Sequence, residues 1–75
     1  MTKFFDLLCR ICVKRGYFPP TSEEMVVTNS AALDYYIDDV LAQELVLCGF
    51  GANDEPNQYG MKIEETIDYF NRFRL

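Results

Sequence analysis

The chain contains no histidine and no tryptophan. Without histidine it lacks the side chain best suited to general-base work near neutral pH, and it lacks imidazole metal ligands. Ser-His and Cys-His nucleophile chemistry and most zinc chemistry go with it, so no enzyme, no cofactor and no metal are expected. The three cysteines are an odd number with no other sign of secretion, which predicts reduced thiols. No apolar run approaches the roughly 20 residues that a membrane-spanning helix needs, and no membrane partner is expected. Met1-Thr2-Lys3-Phe4-Phe5 leads into Asp6 and Arg10 without the apolar stretch of a signal peptide, so a cytoplasmic location is the expectation.

Positive charge is missing from the centre. The seven basic residues are Lys3, Arg10, Lys14, Arg15, Lys62, Arg72 and Arg74, leaving no cation between Arg15 and Lys62. That stretch carries Glu23, Glu24, Asp34, Asp38, Asp39, Glu44, Asp54 and Glu55, and the whole chain has a net charge of −5. What is present is a globular composition, 49% hydrophobic over 75 residues, enough for one core and a single domain over 1–75. No internal repeat, low-complexity segment or linker interrupts it.

Phe5, Leu8, Cys9 and Cys12 recur at helical spacing, with Lys3, Asp6, Arg10 and Lys14 on the other face, which predicts a helix over 2–16. Gly16 stands at the expected left-handed end, and Pro19-Pro20 prevent continuation. Thr21-Ser22-Glu23-Glu24 reads as a capping box in which Thr21 accepts from the Glu24 N–H, starting a short helix over 22–27. Thr28-Asn29-Ser30 is turn and cap chemistry, and a third helix follows from Ser30 to Gln43. Leu33, Ile37, Val40 and Leu41 form its inward stripe, sharing one core with Phe5, Leu8 and Cys12. Leu45-Val46-Leu47-Cys48-Gly49-Phe50 and Gln58-Tyr59-Gly60-Met61-Lys62-Ile63 read as two strands of a hairpin around a polar tip over 51–57. A last helix is expected from Glu64 to Phe73.

The order of helix, short helix, turn, helix, hairpin and helix is the plan of an α+β winged helix-turn-helix: three helices, a β-hairpin wing and a C-terminal helix. Phe5-Asp6-Leu7-Leu8, Gly16-Tyr17 and Pro19-Pro20-Thr21 with Glu24 resemble the opening of the DNA-binding domain of the LexA family of SOS repressors. The resemblance spans 4–63 and implies that Ser30-Ala31-Ala32 begins a recognition helix, with 45–50 and 61–63 as the wing. In such repressors the third helix enters the major groove, supported by cations on phosphates. Here its outward face carries Asp34, Tyr35, Asp38 and Asp39, and the hairpin tip adds Asp54 and Glu55. Carboxylates there would repel a backbone whose affinity comes from charge neutralisation.

Asp34, Tyr35, Asp38, Asp39, Asp54 and Glu55 are therefore the candidate protein-binding residues, with Tyr35 as an anchor within a polar rim. The expected partner is another protein with a basic or nucleic-acid-binding surface, which makes the chain a small acidic regulator or inhibitor, even a DNA mimic. A compact acidic chain of this kind resembles the accessory proteins that bacteriophages and mobile elements use against host machinery. The alternative is a DNA-binding regulator with Lys14, Arg15 and Lys62 on phosphates. Cys9-x-x-Cys12 sits mid-helix on the apolar face and reads as core packing, not as a redox pair or a zinc site. Gly49-Phe50-Gly51 precedes no helix N-terminus that could cradle a phosphate. Phe70, Phe73 and Leu75, with Arg72 and Arg74, could cover the chain's own core or extend a homodimer interface.

Overall fold

A computed structural model describes residues 3–49 and 57–74. Helix α1 (Lys3–Lys14) buries Phe5, Leu8, Ile11 and Cys12, the spacing that places one apolar stripe against a core. It closes with a Schellman arrangement, in which Tyr17 N–H donates to the Cys12 carbonyl at 2.8 Å and Gly16 N–H to the Val13 carbonyl at 3.1 Å. Gly16 adopts φ 81°, the left-handed conformation that only glycine enters without strain. The expected first helix and its glycine stop are both present.

Helix α2 (Glu23–Val27) begins one residue later than the sequence suggests. Its cap is Ser22, extended at φ −155° and ψ 155°, whose side chain accepts from the Met25 N–H at 3.2 Å. The Thr21 hydroxyl instead donates to the Met25 sulfur at 2.6 Å. Adjacent Thr and Ser are both competent caps, and the register goes to the second, so the expected Thr21–Glu24 box is replaced.

Asn29 caps the next helix, accepting from the Ala32 N–H at 3.1 Å. Helix α3 (Ser30–Asp34), a π-helical segment (Tyr35–Leu41) and helix α4 (Ala42–Cys48) follow one another with right-handed helical backbone at every junction. Residues 30–48 are thus one helical run, widened in its middle, where Ala42 N–H donates five residues back to Ile37.

Among the described residues the expected hairpin wing is absent, and with it the α+β class and the winged-helix architecture. Leu45–Cys48 completes α4, and Gln58–Ile63 opens helix α5 (Gln58–Asn71); no strand occurs among the described residues. A four-residue apolar run fits a helix as well as a strand. In the helix only Leu45 faces the core, while Val46 and Leu47 are exposed. Residues 51–56 of the expected tip over 51–57, with Asp54 and Glu55, lie outside the described residues, as does the Phe50-Gly51 part of the glycine-flanked segment. Asn57, which resembles turn material, is the cap of α5: its side chain accepts from the Gly60 N–H at 2.7 Å. Asn57 also returns to the end of α4, donating its N–H to Gly49 O at 2.9 Å and its amide to Cys48 O at 3.3 Å. The last helix therefore starts six residues before the expected Glu64.

One core joins all the helices. Phe5, Leu8 and Ile11 of α1 meet Val26, Leu33, Ile37, Val40 and Leu41, with Ile63 and Phe70 from α5 closing the other side. Phe5, Leu8, Cys12, Leu33, Ile37, Val40 and Leu41, the core residues expected from the sequence, all lie within it. Phe70 covers the chain's own core, whereas Phe73 is exposed and Leu75 is outside the described residues.

Candidate protein-binding face

The π-helical segment and the end of α3 carry Asp34, Tyr35, Asp38 and Asp39 outward, because Leu33, Ile37, Val40 and Leu41 take the inward positions between them. The structure brings these four together on one exposed surface. The face is not free of cations, as the sequence suggested. Arg74 reaches back from beyond α5, its Nε 3.4 Å from Asp34 Oδ1 and its Nη1 3.2 Å from Asp38 Oδ1. Both carboxylates remain more than half exposed, so water screens these pairs and they hold little energy. Asp39 forms no ion pair with another described residue.

Tyr35 is the middle ring of an aromatic cluster. It packs edge-on against Tyr36 at 5.1 Å and against Tyr17 at 6.2 Å between ring centroids, and is still 39% exposed. Tyr17 arrives there through the turn at Gly16, and the next residue, Phe18, is 95% exposed. Neither Tyr17 nor Phe18 is marked by the sequence as a surface residue. Their signal was the glycine-then-proline frame, which ends α1 and projects the intervening aromatics.

Of the three cations of the DNA-binding alternative, Lys14 and Lys62 border one groove between α1 and α5, and Arg15 does not line it. Lys14 and Arg15 converge on Glu44, a carboxylate only 1% exposed at the base of α4. Lys14 Nζ lies 2.6 Å from Glu44 Oε2, Arg15 Nη1 lies 3.1 Å from Oε1, and the Tyr59 hydroxyl donates to Oε2 at 2.6 Å. Burial pushes the Glu44 carboxyl up, but the hydrogen bonds from Lys14, Tyr59 and Arg15 outweigh it, so it titrates below its ordinary range. Burial and the Glu44 contact push the Tyr59 phenol up to about 12. The hydrogen bond to Glu44 likewise raises Lys14 and Arg15, holding both as cations. This cluster clasps α1, α4 and α5 together, and sequence reasoning missed it. A signal existed, since Glu44 falls three residues after Leu41 and seven after Ile37, on the inward stripe. Lys62, the third cation, is exposed on α5.

Cys9 and Cys12 lie on the inner side of α1, Cys12 fully buried, while Cys48 is exposed at the end of α4 with Lys14 Nζ 3.7 Å from its sulfur. No group of three or more His, Cys, Asp or Glu side chains among the described residues is arranged to hold a metal ion. No described helix is long and apolar enough to cross a membrane. No protein family, no curated protein and no solved structure matches the chain.

Proposed function

We propose that the chain is a non-catalytic interaction module of the cytoplasm, a small regulator or inhibitor whose acidic helical face docks on a basic surface of another protein. The observation that carries this reading is the juxtaposition of Asp34, Asp38 and Asp39 with the half-exposed, ring-packed Tyr35. Aromatic anchors within a polar rim are the composition of protein interfaces, and a ring already fixed by neighbours loses little freedom on binding. Tyr17, itself partly exposed, extends the same surface through its ring contact with Tyr35. A basic partner surface of this kind is what nucleic-acid-binding proteins offer, so occupation of such a site as a DNA mimic is part of the proposal. Three free thiols suit a reducing compartment.

Arg74 refines the reading. Its guanidinium already occupies Asp34 and Asp38 in the way a partner's arginine would, so binding exchanges an internal cation for an external one. DNA binding by the chain itself has weaker support, because Lys14 and Arg15 are engaged with Glu44 and, of the expected wing strands, residues 45–48 and 58–63 are helical. The test is capture of partners from the cells that encode the protein, followed by competition with duplex DNA. A captured protein released by DNA supports the reading. Capture that is indifferent to DNA, or direct sequence-specific DNA binding by the chain, counts against it.

A further inference from the structure

A second surface of opposite sign lies between α1 and α5. The two helices run antiparallel: Phe4 near the start of α1 stacks on Tyr69 near the end of α5 at 4.7 Å, and Lys14 at the end of α1 sits 5.3 Å above the Tyr59 ring near the start of α5. Beside this seam they leave a groove of about 690 Å³. None of Asp34, Tyr35, Asp38 and Asp39 lines it. Its apolar side chains include Phe4, Leu7 and Met61, the last 54% exposed. Lys3, Arg10, Lys14 and Lys62 surround them against the acids Asp6 and Glu65. In a chain with seven Lys and Arg and a net charge of −5, this concentration reverses the local sign. Arg10 and Lys62 form no ion pair with another described residue, so their charge is available to a ligand.

We infer that this groove binds an acidic amphipathic helix of a partner protein. Two antiparallel helices with an open apolar seam accept a third, whose apolar stripe covers the seam while its flanking carboxylates meet the lysines and arginine on the rim. The 12 residues of α1 offer a track of about 18 Å at roughly 1.5 Å per residue, room for about three turns of a docked helix. Charge complementarity selects an acidic occupant, and the lining selects protein over single-stranded nucleic acid. Base stacking needs free aromatic faces, but Phe4 is stacked on Tyr69 and Lys14 covers Tyr59. The site is separate from the acidic face and does not depend on its function.

The experiment is selection of 14-residue peptides from a displayed random library on the intact protein, with counter-selection on the Lys3→Glu, Arg10→Glu, Lys62→Glu triple variant. The enriched peptides carry Leu or Phe at helical spacing with Asp and Glu between them. The best peptide, titrated into isotope-labelled protein, shifts the amides of α1 and α5 and loses at least tenfold in affinity on the triple variant. Met61→Glu, an exposed change that leaves the rim cations in place, weakens it as well while the helical circular dichroism stays unchanged. Enrichment of peptides without acids overturns the inference. So do equal binding to the triple variant, amide shifts confined to residues 34–39, displacement of the peptide by a single-stranded oligonucleotide, and occupation of the groove by a second copy of the chain.

Discussion

The Tyr59 hydroxyl donates a 2.6 Å hydrogen bond to the buried carboxylate of Glu44, joining the first turn of α5 to the base of α4. Lys14 and Arg15 reach the same carboxylate from the end of α1, so three helices meet at one negative charge. A buried charge with its partners intact adds little net stability, but removing it strands the groups built around it.

That asymmetry fixes the pH response. Glu44 titrates below its ordinary 4.5 in the folded chain, so its contribution is complete above that pH and is lost as pH falls through the lower native value. Glu44→Gln should destabilise the protein by on the order of 3 kcal/mol at pH 7, and the difference from wild type should narrow below pH 4.5. Tyr59, raised from 10 to about 12, contributes fully below pH 10, and its contribution is lost as pH rises through 12. Tyr59→Phe should cost about 1.5–3 kcal/mol near neutrality and flatten the alkaline limb. Denaturant melts of the three proteins across pH check both signs, and parallel curves would refute the clasp.

Two glycine substitutions should separate by mechanism. A Cβ on Gly60 would collide with the carbonyl of Gly49, where the start of α5 crosses the end of α4. Gly60→Ala should therefore cost about 1–3 kcal/mol or more, since both partners are backbone. Gly16 has open space around it and is needed only for its positive φ. Gly16→Ala should cost about 1–2 kcal/mol through backbone strain alone. Urea melts decide, and a harmless Gly60→Ala would contradict the packing of α4 on α5.

The thiols should react in a fixed order. Burial, aided by neighbouring Cys9, lifts Cys12 to about 11, and burial lifts Cys9 as well, whereas Cys48 is exposed. A chromogenic disulfide reagent at pH 8 should titrate Cys48 rapidly and Cys12 only on unfolding. Rapid labelling of Cys12 in the native protein would show that α1 does not sit as described.

Residues whose partners follow a single helical period were readable from sequence. Phe5, Leu8, Cys12, Leu33, Ile37 and Leu41 declare the core, and Gly16 declares the end of α1. Leu45 to Cys48 did not declare itself, because four apolar residues fit either secondary structure until Glu44 is seen to continue the inward stripe. Asn57 and Gly60 carry the vocabulary of a turn, but one caps α5 and the other lets it approach Gly49. The acidic face was legible from the spacing of Asp34, Asp38 and Asp39. Arg74 on that face was not, since the contact spans 36 residues of chain and rests on how α5 packs.

The central claim is that Asp34, Asp38, Asp39 and Tyr35 form a docking face for a basic protein surface. The most direct measurement is the affinity of a DNA-competed partner, at several salt concentrations, for wild type and three variants whose melting temperatures are measured alongside. Reversal of Asp34, Asp38 and Asp39 to Lys should abolish the complex with the fold intact, because all three side chains are exposed. Tyr35→Ala should cost about 1–2 kcal/mol as an interface anchor. Arg74→Ala should change stability by less than about 1 kcal/mol and tighten binding by releasing Asp34 and Asp38. Affinity for the wild type should fall as salt rises, since exposed charges are screened within roughly 8 Å at 0.15 M. Binding that survives the three reversals, or nanomolar sequence-specific binding of duplex DNA by the unmodified chain, would contradict the account.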